Sequence, residues 1–154
     1  MGMKKQKTSK IWWVLFIFYC IVMLWLLFDR PSDAIAGLPY KEQLLQNVNL
    51  TPLYTIRNYL YVVVHRSNDA VFVHCVINLL GNILLFIPAG WLIPKLWKKQ
   101  ENFFRFFLTC TCAIFLVEIL QLFTLLGSFD VDDLILNLSG MTLGFILYHI
   151  FKKK

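Results

Sequence analysis

Four long apolar runs dominate this chain: residues 11–28, 71–93, 103–126 and 131–151. As a helix, each is long enough at about 1.5 Å per residue to cross a hydrocarbon layer of about 30 Å. In hydrocarbon every backbone N–H and C=O must be paired within the spanning structure, and isolated runs of this length meet that demand as helices. The expected fold class is therefore all-α, a polytopic membrane protein with four transmembrane helices. Composition agrees. Of 154 residues, 58% are hydrophobic and 16% charged, more apolar surface than a soluble domain of this size can hide.

The formal charge of +6 is distributed in a telling way. Lys4, Lys5, Lys7 and Lys10 precede the first run. Lys95, Lys98, Lys99 and Arg105 fall between the second and third, and Lys152, Lys153 and Lys154 follow the fourth. If the runs alternate in direction, these three clusters share one side. The other side carries Arg30, Lys41, Arg57 and Arg66, diluted by Asp29, Asp33, Glu42 and Asp69. The positive-inside rule then places both termini in the cytoplasm. The basic residues read as topology signals and contacts for anionic headgroups, so no nucleic-acid partner is expected.

The organisation follows from the runs. Residues 1–10 form a cytoplasmic basic tail, 11–28 the first span, 29–70 an extracytoplasmic loop, 71–151 a three-helix core, and 152–154 a second cytoplasmic tail. The basic start and Ala34-Ile35-Ala36 resemble a cleavable leader. The apolar run is longer than a usual leader core, so an uncleaved anchor is expected. Within the loop, 41–47 predicts one or two helical turns, ended by Asn49-Leu50-Thr51-Pro52. Residues 53–64 are too short to span and too apolar for water, which predicts an interfacial helix. Pro88 is expected to kink the second span and Pro94-Lys95 to end it. The cysteines, Cys20, Cys75, Cys110 and Cys112, lack metal-ligand or disulfide spacing and read as small apolar fillers. No cofactor and no metal site are expected.

Polar side chains inside these runs carry the functional signal, because such groups cost free energy in hydrocarbon unless they meet one another or a wet cavity. Steps of three and four put His74, Asn78, Gly81, Asn82, Leu85 and Ala89 along one stripe of the second span. Thr111, Glu118, Gln121 and Leu125 share a face of the third, and Asp133, Asn137, Gly140, Gly144 and Tyr148 a face of the fourth. Three helices packed about a polar seam are expected, with lipid outside. Counting along the helices puts Asn78, Glu118 and Asn137 at one level in the outer half of the bilayer, with Asp133 and Gln121 above and Asn82 a little below. Gly81, Gly140 and Gly144 are expected to allow close approach of backbones. Glu118 costs about 2–3 kcal/mol or more in mid-helix, and is expected to be partly protonated or paired with an amide. Asp130 and Asp132 read as solvated cap or loop residues.

At these positions the chain resembles the VanZ-like family of small bacterial membrane proteins. The resemblance rests on Asn49-Leu-Thr-Pro52, Asn78-Leu-Leu-Gly-Asn82-Ile-Leu-Leu-Phe-Ile-Pro88-Ala-Gly90, Glu118-Ile-Leu-Gln121, and Asp130-Val-Asp132-Asp133-Leu-Ile-Leu-Asn137-Leu-Ser-Gly140. It implies a link to low-level resistance to teicoplanin, a lipoglycopeptide acting on wall precursors outside the membrane.

Two functions are expected from different classes. In the first, Asn78, Asn82, Glu118, Gln121, Asp133 and Asn137 bind a lipid headgroup, a lipid-linked cell-wall intermediate or the lipoglycopeptide, with Arg57 or Arg66 meeting a phosphate. The protein then serves antibiotic resistance or envelope maintenance. In the second, Glu118 and Asp133 act as general acid and base of an intramembrane enzyme on a lipid-linked phosphate or pyrophosphate, or join Asp130 and Asp132 around a divalent cation. The expected partners are membrane lipids and a second copy of the chain docked through Gly140 and Gly144.

Overall fold

The structure is a computed structural model that describes residues 10–29, 34–65 and 69–152. The charges assigned above to Lys4, Lys5, Lys7, Arg30, Asp33, Arg66, Lys153 and Lys154 lie outside the described residues. Helix α1 spans Lys10–Phe28, α2 Tyr40–Gln46, α3 Tyr54–His65, α4 Asp69–Leu84, α5 Ile87–Leu96, α6 Phe103–Thr124 and α7 Val131–Phe151. A short 3-10 turn, Lys98–Glu101, joins α5 to α6. Two two-residue strands, β1 (Val48–Asn49) and β2 (Phe129–Asp130), pair in parallel. Among the described residues, four stretches are long and apolar enough to cross a membrane: α1, α4 with α5, α6 and α7. The fold is all-α and the chain is a multi-pass membrane protein.

The second crossing is broken as Pro88 requires. Helix α4 stops at Leu84, and α5 restarts with Pro88 in its first turn, where its missing N–H costs nothing. Tyr19 of α1 donates from Oη to the Leu85 carbonyl at this break (2.8 Å). Pro94 does not end the crossing; it sits inside α5, which runs on to Leu96. The inner turn is tied back to α7 by Glu101, which accepts from Tyr148 Oη (2.8 Å) and pairs with Lys152 Nζ (2.7 Å). Burial alone would raise the Glu101 carboxyl. The Lys152 ammonium and the Tyr148 hydroxyl, with His149, outweigh it and hold the group below its ordinary value.

Helix α7 is the central post. Its buried face carries Leu136, Asn137, Gly140, Met141, Gly144, Phe145 and Tyr148. A Cβ on Gly140 would strike the Ile83 carbonyl, one on Gly144 the Ile87 carbonyl, and one on Gly90 the Met141 carbonyl. The broken crossing thus lies backbone-to-backbone against α7, as small residues permit in lipid. The expected use of Gly140 and Gly144 for a second copy is corrected here: the chain's own α4 and α5 occupy that face. Gly81 is also corrected, because nothing lies within 4 Å of a Cβ built there. Phe106, Cys110, Ile114 and Glu118, four residues apart, form the buried stripe of α6. The cysteines are free, and Cys75 and Cys110 are buried fillers, whereas Cys112 is exposed on the outer surface of the bundle.

The connection after α1 is knotted to the start of α7. Phe129 N–H donates to the Asn47 carbonyl (2.8 Å) beside the β1–β2 pair. Asn49 Nδ2 donates to Thr55 Oγ1 (3.0 Å) and Asp130 Oδ2 (3.2 Å), and Thr55 Oγ1 donates to the same Asp130 oxygen (2.6 Å). Asp130 caps α7 by accepting from Asp132 N–H (2.8 Å). Asp132, 0% exposed, accepts from the backbone N–H groups of Leu53 (2.5 Å) and Ile56 (3.1 Å) at the start of α3. Leu53 has φ 64°, a left-handed conformation that a leucine rarely adopts. The Asp132 carboxylate holds it there and meets the positive end of α3. The expectation of solvated carboxylates is therefore wrong for both residues: they are buried and bonded.

Two outcomes follow for stability. Asp132→Ala leaves the Leu53 and Ile56 N–H groups without their acceptor, a loss of about 2–3 kcal/mol. Thermal unfolding in detergent should show a clear fall for Asp132→Ala and a smaller one for Asp132→Asn; an unchanged midpoint for both removes the clamp. Gly140→Val forces α7 off Ile83 at a cost of about 1–3 kcal/mol or more. Gly81→Ala, facing open space, should be neutral or stabilise α4 by up to about 1 kcal/mol. Equal effects of the two substitutions in the same assay would contradict the packing.

Candidate functional site

Depth along the helices decides which polar groups meet. Ile83 lies against Gly140. It is fourteen residues after the start of α4, whereas Gly140 is nine after the start of α7. Helix α4 therefore begins about five residues higher than α7, roughly 7 Å at 1.5 Å per residue. Counting both from a common boundary placed Asn78 too low. With Ile83 level with Gly140, Asn82 stands about two residues below Asn137, as expected, and Asn78 about two above it.

Five of the six amide and carboxyl residues singled out in the sequence line one cavity: Asn82, Glu118, Gln121, Asp133 and Asn137. Leu27, Gly127 and Ser128 complete it, and its volume is about 30 Å³. A polar cavity of that size holds a water-sized group. Asn78 stands apart from it, half-buried, with its Oδ1 3.5 Å from Asn82 Nδ2, a long contact at the limit of hydrogen bonding. No lysine, arginine or histidine lines the cavity among the described residues. Arg57 is exposed on α3 and outside it.

Each wall is fixed by a distinct bond. Asn82 Nδ2 donates to Asp133 Oδ1 (2.7 Å), joining α4 to α7. Gln121 Nε2 donates to the Leu27 carbonyl (2.9 Å), which holds the end of α1 against α6. Gln121 also ends α6: its carbonyl accepts from Leu125, in the left-handed conformation at φ 53°, and from Leu126 N–H (3.1 Å). The turn so made brings Gly127 onto the Gln121 side chain and Ser128 to the cavity mouth. Glu118 is 3% exposed and Asn137 4%. Asn137 Oδ1 is buried and accepts no hydrogen bond among the described residues. A buried amide oxygen left this way costs free energy that a leucine would not.

Helix α3 packs on α4 and α7 outside the cavity lining. Tyr59 meets the His74 ring edge-on, with centroids 6.0 Å apart. Burial first, and then the negative fields of Asp133, Cys75 and Asp130, push the Tyr59 phenol up, so it stays neutral and able to donate. Neither Tyr59 nor the role of Asp132 in seating α3 was anticipated. A tyrosine in an apolar helix carries no periodic signal, and an aspartate before an apolar run reads as an ordinary cap.

Chemically the cavity is acceptor-rich. Glu118 and Asp133 supply carboxyl oxygens and Asn137 an amide oxygen, against the amide donors of Asn82, Gln121 and Asn137. Such a lining suits a hydroxyl or an ammonium and disfavours a phosphate. Asp130 and Asp132 do not join it. Their oxygens are engaged with Asn49, Thr55 and backbone N–H groups, so the four-carboxylate cation site imagined from the sequence is not assembled.

No curated protein and no solved structure matches this chain. The VanZ/LLP1 family model matches residues 16–152. That stretch holds the polar cavity, the Asp130–Asp132 clamp, three whole crossings and most of the first, and the chain belongs to the VanZ/LLP1 family.

Proposed function

We propose that this protein binds a hydrogen-bond donor, a hydroxyl or an ammonium, of an envelope lipid or of a lipoglycopeptide, in the outer half of the bilayer. Through that binding it contributes to teicoplanin-type resistance or to envelope maintenance. The reading rests first on Asn137, whose Oδ1 is buried in a water-sized polar cavity and accepts no hydrogen bond from the described residues. Glu118 and Asp133 in the same lining add carboxyl oxygens. Family membership supports the link to antibiotic resistance.

The side of the membrane comes from charge. The cavity lies at the end of the bundle that carries the α1–α4 connection with Lys41, and the other five described lysines, Lys10, Lys95, Lys98, Lys99 and Lys152, lie at the opposite end. By the positive-inside rule the cavity then faces the extracytoplasmic leaflet. A cavity of about 30 Å³ admits one small group and not a whole headgroup or sugar. What is held is the terminal donor of a larger molecule.

The test is susceptibility. Expressed in a teicoplanin-susceptible bacterium, the parent chain should raise the inhibitory concentration several-fold. Asn137→Leu and Glu118→Gln should each return it to the host baseline at equal membrane abundance. Asn137→Leu should unfold at the same temperature as the parent or higher, since it removes a buried unpaired acceptor. Full resistance in both variants, or none in the parent, would overturn the reading.

A further inference from the structure

The polar cavity borders a second, apolar space. Leu27 lines both. The second is a groove of about 340 Å³ between α1 and the core, walled by Tyr19, Met23 and Leu27 of α1, Ile114 and Val117 of α6, and Met141 of α7. On α6 the two are adjacent: Ile114 and Val117 line the groove, and Glu118 and Gln121, within a turn, line the cavity. The Tyr19 hydroxyl is engaged by the Leu85 carbonyl, so the tyrosine adds no spare polar group.

Length and depth give the groove a direction. Along α1 it extends from Phe16 to Leu27, about 16 Å at 1.5 Å per residue. That is about half of a hydrocarbon core some 30 Å thick. Its deep end, at Phe16 and Ile93, passes the middle of α1 toward the inner end of α5, and its shallow end reaches Leu27 beside the cavity. An amphiphile of the outer leaflet has this layout, with its chain inward and its polar end outward. Moving an alkyl chain from lipid into an apolar groove gains little, because lipid tails are as apolar as the wall. Selection must therefore come from the polar end, and the cavity offers acceptors, no cationic side chain and room for one small group.

We infer that the groove holds the aliphatic chain of the same molecule whose donor enters the cavity, so that the ligand is a long-chain amphiphile ending in a hydroxyl or amine and not in a phosphate. The inference rests on the binding reading above and narrows it to a chemical class. A free long-chain alcohol, a polyprenol and an alkyl amine share this chemistry.

The full chain in phosphatidylcholine nanodiscs is photolabelled with hexadecanol, hexadecylamine or hexadecyl phosphate, each carrying a diazirine on the chain, and labelled positions are read by peptide mass spectrometry. Labelling at Met23, Ile114 and Val117 should saturate for the alcohol and the amine and be competed by unlabelled alcohol. Labelling at the exposed Phe104 and Phe123 should rise linearly with probe. Hexadecyl phosphate should label the groove at least tenfold less. Ala113→Trp, which fills the groove from α6, and Cys20→Phe, from α1, should each reduce saturable labelling at least tenfold. Competition by polyprenol over hexadecanol would identify an isoprenoid source.

Linear labelling of the groove in the parent overturns the inference whatever the variants do. If Asn137→Leu still abolishes resistance in that case, the binding reading survives without it. Saturable labelling that is equal for all three heads and indifferent to Asn137→Leu would defeat both.

Discussion

The bundle depends on one buried carboxylate. Asp132 is closed off from solvent in the first turn of α7, and its oxygens take N–H groups from the start of α3. A helix start leaves unsatisfied donors, and near a membrane interface they need an acceptor. Supplying it from α7 fixes α3 against α4 and α7, and Asp130 reinforces the joint through Asn49 and Thr55. The loop between the first two crossings is thereby tied to the helix that carries Asp133 and Asn137. Its position is set by ionic hydrogen bonds in a region of low dielectric, where they are strong and costly to break.

A second constraint is the close backbone contact of α7 with the broken crossing. Gly90, Gly140 and Gly144 let carbonyls of one helix approach the Cα of the other. That contact sets the relative height of α4 and α7, and the height brings Asn82 to Asp133. Polar chemistry and glycine packing are thus one design. A shift of one turn on the glycine face would carry Asn82 away from its partner by about 5 Å.

The crossings were legible because their apolar runs exceed the membrane thickness, and Pro88 marked the break at Leu85 and Phe86. The cavity was largely legible too: Glu118, Gln121, Asp133 and Asn137 share faces at helical spacing, and lipid penalises polar groups that do not meet. The error at Asn78 came from assuming that α4 starts level with α7, a vertical offset that no single-helix pattern contains. Gly140 and Gly144 were recognised as a contact face, but a glycine stripe does not say whether its partner belongs to the same chain. Asp130 and Asp132 were misread for a related reason. Their acceptors serve a segment more than seventy residues earlier, and a long-range bond leaves no local signature.

The composition of the cavity is hard to explain as packing. Asn82 and Asp133 satisfy each other, and Gln121 spends its amide on the Leu27 carbonyl; both pairs join helices, and a packing role accounts for them. Asn137 differs. Its oxygen is buried and accepts nothing from the described residues, while its neighbours Leu136 and Leu138 fill the same helix with ordinary apolar groups. A leucine at this position would fit the span and remove the penalty of an unpaired acceptor. A bare acceptor next to Glu118, beside a groove that an alkyl chain can fill, lowers stability when the cavity is empty and repays that loss only when a donor arrives. Departures of this kind from local consistency concentrate at functional sites, and here the departure sits where hydrocarbon and polar cavity meet.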